Sequence, residues 1–187
     1  ISIFIMVVYA LDRGGPAYFV RLFGYSAAEE GWVVGLIMIG AGTAGLLLAG
    51  ALSDRLVNGG VQDGYIKVIL FSMVAIIPCA TALGFVENDQ LAIIAMSVAI
   101  FFSAFQGGIS GDAIQLMTPN RMRGQVMALF LLTANLIGLG LGPTVIALAT
   151  DYIFGYDAAI GKSIALCTVI LCPIAALILW RSLPSIN

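Results

Sequence analysis

The chain has 187 residues, 61% of them hydrophobic and only 10% charged, with a formal net charge of −2 and no histidine. Soluble domains carry roughly 25% charged residues, so this composition excludes a water-bathed globular domain and makes lipid the solvent. Without histidine the chain cannot supply His metal ligands or a Ser-His or Cys-His catalytic pair, and no cofactor, metal or nucleic-acid partner is expected.

A helix needs about 20 mostly apolar residues to cross a bilayer, and six stretches qualify: 1–23, 30–52, 65–86, 91–117, 122–150 and 160–180. Their uninterrupted runs exclude a closed β-barrel, whose strands would alternate every second residue. The short connections make one all-α membrane bundle covering residues 1–187.

The first stretch carries Asp12 and Arg13, followed by Gly14-Gly15-Pro16. Proline removes a backbone donor and kinks a helix, so this helix is expected to be irregular near its middle. Irregular backbone at membrane depth is tolerated only where protein or a water-filled cavity covers it. A cavity beside the first helix follows. A charge at the bilayer centre costs about 2.5–3.5 kcal/mol on insertion scales and usually faces a partner or a cavity. Neighbouring helix positions point in different directions, so Asp12 and Arg13 need not pair with each other. Two readings stay open: a buried structural ion pair, or an Asp12 that exchanges a proton as water reaches it while Arg13 tunes it or holds an anionic substrate.

The second stretch holds Gly31, Gly35, Gly40, Gly42, Gly45 and Gly50. Small residues let helix backbones approach in membranes, and Gly31/Gly35, Gly107/Gly111 and Gly138/Gly142 are each spaced as G-x-x-x-G. Pro78, Pro143 and Pro173 mark further helices that can kink. Cys79, Cys167 and Cys172 lie within apolar stretches, where disulfides and metal sites are poor readings. In the fourth stretch, Gly108-Ile109-Ser110-Gly111 resembles the serine motif of rhomboid intramembrane proteases, but those enzymes need a histidine base. Asp12 and Asp112 would mimic intramembrane aspartyl proteases only with a glycine at position 109, where isoleucine stands. Ser110 without a base is a weak nucleophile, and no enzyme is expected. Gln106, Thr133 and Asn135, with Tyr9 and Phe105 as aromatic walls, could line a pathway or simply bond between helices.

If the chain starts inside, one set of turns holds Arg55, Lys67, Arg121 and Arg123, with Arg181 at the end. The other set holds only Arg21 and Lys162 beside Glu29, Glu30, Glu87, Asp89, Asp151 and Asp157. Lys and Arg favour the cytoplasmic side, so both ends of this segment are expected to be cytoplasmic. The chain begins inside an apolar run without an initiator Met, and is read as part of a longer protein.

The turn Gly50-Ala51-Leu52-Ser53-Asp54-Arg55 puts an acid and a base between two spanning runs. It resembles the loop signature joining helices two and three in each half of the major facilitator superfamily, although Val57, Asn58 and Gly59 replace the expected glycine and basic pair. That partial form is more usual in the C-terminal half. Pro119 to Gln125, Asn135 to Pro143, and the loop Thr150 to Gly155 are similar to the helix 10–11 region of spinster-like members. The resemblance implies helices 7–12 of a twelve-helix secondary transporter in a bacterial inner membrane, with the N-terminal half of the same protein absent. It further implies proton-coupled alternating access for a small amphipathic or lipid-like organic solute. Gly50, Asp54 and Arg55, with Arg121 and Arg123, would form a cytoplasmic gate. The family's motifs do not place the proton site in this half; from their position in apolar helices alone, Asp12, Arg13, Tyr9, Gln106 and Asn135 are expected to line the path of substrate and protons on the first, fourth and fifth helices. The alternative is a membrane scaffold that moves no solute.

Overall fold

The computed structural model describes residues 2–60, 64–86, 88–154 and 160–182; side chains at 2, 16, 112–117, 143, 153–154, 160 and 182 lie outside that description. The described chain is helical: α1 Ser2–Phe23, α2 Ala27–Ile37, α3 Thr43–Asn58, α4 Gly64–Leu83, α5 Asp89–Met117, α6 Arg123–Leu148 and α7 Ile160–Ser182. A π-helical segment, Met38–Gly42, joins α2 to α3, and another, Ala149–Phe154, extends α6. Among the described residues, five continuous helices are long and apolar enough to cross a membrane, and α1 makes a sixth if its bent halves count as one span.

Local chemistry sets the boundaries. The second span begins at Ala27, three residues before the expected Glu30, because Ser26 and Glu29 form a capping box. Ser26 Oγ accepts from the Glu29 amide at 3.3 Å, and the Glu29 carboxylate accepts from the Ser26 amide at 3.0 Å. Two orphan donors at the helix start are satisfied reciprocally. The expected irregularity in the first helix is a 41° bend between Ile3–Gly15 and Ala17–Phe23, at Gly14-Gly15-Pro16. By contrast, α4 and α7 continue through Pro78 and Pro173.

Burial follows helical periodicity. On α1, Phe4, Val7, Leu11, Gly14 and Tyr18 recur every three or four residues, and all are buried. On α4 the stripe is Ile69, Met73, Ile76, Ala80 and Leu83, with Phe71 and Val74 exposed on the other side. These stripes face the interior. The strongest packings join α4 to α5 and α7, α1 to α6, and α3 to α5. In the most apolar windows, only 22% of the α2–α3 span and 24% of the α6 span are buried, against 39–44% for α4, α5 and α7. The α2–α3 and α6 spans are therefore the open flanks of the bundle.

Not every G-x-x-x-G pair brings helices together. A Cβ at Gly138 would lie 2.4 Å from the Tyr9 ring, and one at Gly142 would lie 3.0 Å from the Met6 carbonyl oxygen. This pair seats α6 on α1. At Gly31, Gly35 and Gly107 the same construction meets nothing within 4 Å. The tightest backbone approach is at Gly45, where a Cβ would lie 2.2 Å from the Phe101 carbonyl oxygen.

Candidate functional site

Just below the bend of α1, a cavity of about 390 Å³ opens between α1, the Met38–Gly42 segment, the start of α3 and α5. Val8, Met38, Leu46 and Ile100 supply apolar walls, while Asp12, Thr43, Ser103 and Gln106 supply the polar groups. Ligand sites of roughly 300–1,000 Å³ with a few convergent polar groups are the usual form of small-molecule pocket. Non-α-helical backbone at this depth is acceptable because it lines a cavity, and π-helical turns recur at functional sites.

The hydrogen bonds of α5 fix the polarity of this wall. Ser110, 3% exposed, donates its hydroxyl proton to the Gln106 carbonyl oxygen. Its Oγ can then only accept, and Gln106 Nε2 donates to it at 3.3 Å. That assigns the amide: one N–H of Nε2 is used within α5, leaving Oε1 as an acceptor and the second N–H as a donor. Ser103 likewise donates to the Ile100 carbonyl at 2.8 Å. The Ser110 hydroxyl is thus spent on its own helix, in agreement with the absence of any histidine base.

Asp12 and Gln106, expected on one pathway, do line one cavity. Tyr9 and Asn135 meet elsewhere, on the α1–α6 seam, where Tyr9 Oη donates to Asn135 Oδ1 at 3.1 Å. Asn135 Nδ2 in turn donates to the Leu131 carbonyl at 2.8 Å, so both ends of that amide are occupied. Arg13 is exposed and outside the cavity lining. The cavity takes its third wall from the second span, through Met38, Gly42, Thr43 and Leu46, and none from α6. The glycines between 38 and 45 are the one sequence signal here, and they suggest close packing and helices that slide or rock on one another rather than a cavity wall. The side chain of Asp112 lies outside the described residues.

At one end of the bundle, Asp54 and Arg55 are exposed on the last turns of α3, and Gly50 is half-buried. Arg121 and Arg123 are exposed in the turn before α6 and at its start, and Arg123 Nε donates to the Thr118 carbonyl at 3.3 Å. Among the described residues no ion pair joins these four charges. At the opposite end, Tyr18 Oη donates to the Leu83 carbonyl at 3.0 Å, closing the end of α4, and Tyr25 Oη donates to Asp89 at 3.3 Å. Half-burial, then the adjacent Asp89 carboxylate and its hydrogen bond, then Glu29, push the Tyr25 phenol above its ordinary pKa.

No family model matches the chain. A curated protein of Mycolicibacterium smegmatis (strain ATCC 700084 / mc(2)155), described as an MFS-type efflux pump, is 28% identical over 178 residues. The alignment covers 92% of this chain and 40% of that protein, so the chain spans less than half the length of the relative it matches. The apolar helices support an integral membrane protein, and most of the chain is similar to part of a protein described as an MFS-type efflux pump.

Proposed function

We propose that the chain is one six-helix wall of a secondary transporter of the major facilitator superfamily, and that it carries part of the substrate cavity. The observation that carries this reading is the cavity itself: a membrane-depth carboxylate and a buried amide, from two helices, open into one 390 Å³ space beside a bent helix and a π-helical segment. Intramembrane ionisable residues mark substrate or proton pathways by default. A second wall would come from another six-helix unit of the same protein. The sparsely buried α2–α3 and α6 spans, with Trp32, Leu36, Leu132 and Leu136 exposed, are surfaces such a unit would cover. The spinster-like placement and the assignment to helices 7–12 rest on the sequence patterns alone.

In this reading the solute is a small amphipathic organic molecule, and its movement draws on the proton gradient through Asp12. Asp54, Arg55, Arg121 and Arg123 are cytoplasmic gate charges whose partners lie on the second unit, in a bacterial inner membrane with both ends of this segment inside. The relative's description as an efflux pump supports outward transport. The test reconstitutes the full-length protein in liposomes under a pH gradient, with ethidium and taurocholate as cationic and anionic amphipathic probes. Gradient-dependent movement of either probe, lost in Asp12→Asn, is expected. No gradient dependence for either, with Asp12→Asn behaving as the parent protein, would favour the scaffold.

A further inference from the structure

We propose that the groove between α6 and α7 holds one acyl chain of a zwitterionic membrane phospholipid, with its ammonium group at Asp151 and its phosphate at Lys162. The groove has a volume of about 490 Å³, with Val145, Leu148 and Tyr152 on one side and Leu166, Ile170 and Leu171 on the other. It opens because the two helices lean on different neighbours. Gly138 and Gly142 seat α6 on α1. In contrast, α7 packs along α4 and starts wedged at Gly161, where a Cβ would lie 2.6 Å from the Leu83 carbonyl oxygen and 2.7 Å from the Tyr18 ring. The helices are tied at one end, where the buried Thr150 and Ser163 hydroxyls hydrogen-bond at 2.8 Å. From there the groove runs toward the bilayer centre.

The two spans meet the membrane surface at this end, one finishing at Tyr152 and the other starting at Gly161. The groove therefore lies at the depth of lipid tails. Tyr152, 84% exposed, stands at its mouth, where interfacial aromatics collect. The six-helix unit proposed above would cover a different side of α6. At about 100° per residue, Val145 and Leu148 lie roughly 120–180° round the helix from Leu132 and Leu136. A tail alone selects weakly, because lipid chains are as apolar as leucine. Selection comes from the charges at the mouth. Asp151 and Lys162 are both exposed, one on each side of the groove; Asp151 precedes Tyr152, and Lys162 lies one turn before Leu166. An anionic lipid would satisfy Lys162 and meet Asp151 as a like charge. A zwitterionic headgroup complements both. The site requires only that these helices span a membrane, so it holds whether or not the protein moves a solute.

The experiment is tryptophan quenching in reconstituted full-length protein. Ile174, exposed one turn beyond Ile170, is the reporter position at the tail end of the groove, as Ile174→Trp. Every other tryptophan, Trp32 and Trp180 included, is changed to phenylalanine. Val74→Trp, on the exposed side of α4, reports ordinary surrounding lipid. The vesicles hold equal amounts of phosphatidylethanolamine and phosphatidylglycerol, with brominated chains on one lipid or the other. At Ile174→Trp, phosphatidylethanolamine is expected to outcompete phosphatidylglycerol about two- to fivefold, the range of an exposed ion pair. At Val74→Trp the two should quench alike. Asp151→Lys, a change at an exposed position, should turn the Ile174→Trp preference toward phosphatidylglycerol and leave Val74→Trp as it was. Equal quenching by both lipids at Ile174→Trp, or a phosphatidylethanolamine preference that survives Asp151→Lys, overturns the proposal. So does quenching by neither lipid at Ile174→Trp with normal quenching at Val74→Trp, because protein would then fill the groove.

Discussion

Replacing Gly45 by alanine probes the closest helix contact in the bundle. The added Cβ would sit 2.2 Å from the Phe101 carbonyl oxygen, 3.1 Å from its carbonyl carbon and 3.2 Å from the Ala104 Cβ. Carbon–oxygen contacts between packed helices settle near about 3.3 Å, so α3 and α5 must separate by about 1 Å over this turn. The obstacle is backbone, and no rotamer change can relieve it. Overpacking of this kind costs roughly 1–3 kcal/mol, or about 2–12 °C at roughly 2–4 °C per kcal/mol. Gly35→Ala, whose Cβ meets nothing within 4 Å, is the control; it should be neutral or gain up to about 1 kcal/mol of helix propensity. Melting curves of the two purified variants in the same detergent decide the matter. Equal melting temperatures would refute the close approach of α3 to α5. The same shift would move Leu46 and Thr43 away from Ile100 and Ser103, so ligand affinity of Gly45→Ala should fall along with its stability.

Tyr18→Phe removes the donor to the Leu83 carbonyl from a fully buried side chain, and should cost about 1–3 kcal/mol in the same thermal assay; no change would mean that water already serves that carbonyl. A double-mutant cycle of Tyr9→Phe with Asn135→Leu should return a coupling near about 0.6 kcal/mol, the usual value for hydrogen bonds between membrane helices, and zero coupling would separate the two residues. For Tyr25 the folded pKa lies above the ordinary phenol value. The protonated hydroxyl therefore contributes fully below that value, and its contribution is lost as pH rises through the folded pKa. A tyrosinate absorbance titration should show a late-ionising component that Tyr25→Phe removes or Asp89→Asn shifts down; a titration unchanged by either variant would dissociate the pair.

The spans were legible in the sequence because about 20 apolar residues in a row have few other uses. The bend in α1 was legible for a similar reason, since Gly14-Gly15-Pro16 weakens one turn from both sides. The start of the second span was misplaced by three residues, because an acidic pair reads as interface until Ser26 and Glu29 are recognised as a reciprocal cap. What the sequence could not give is adjacency. Asp12 and Gln106 both stood out as polar groups in apolar helices, yet so did Asn135, and nothing in the spacing says that Asn135 pairs with Tyr9 while Gln106 shares a cavity with Asp12. The glycines show the same limit. Gly31/Gly35 and Gly138/Gly142 have identical spacing, but only the second pair lies under another helix, because contact depends on which face the fold turns inward. The roles of Asp54, Arg55, Arg121 and Arg123 depend on groups that these residues do not include.

The most direct measurement is two-sided accessibility of the cavity. Thr43→Cys in full-length protein lacking Cys79, Cys167 and Cys172 is labelled with a membrane-impermeant maleimide, separately from each side of sealed vesicles. Alternating access predicts labelling from both sides, with ligand shifting the ratio between them. Labelling from one side only, unchanged by ligand and by the pH gradient, would contradict a transporter and leave a static bundle.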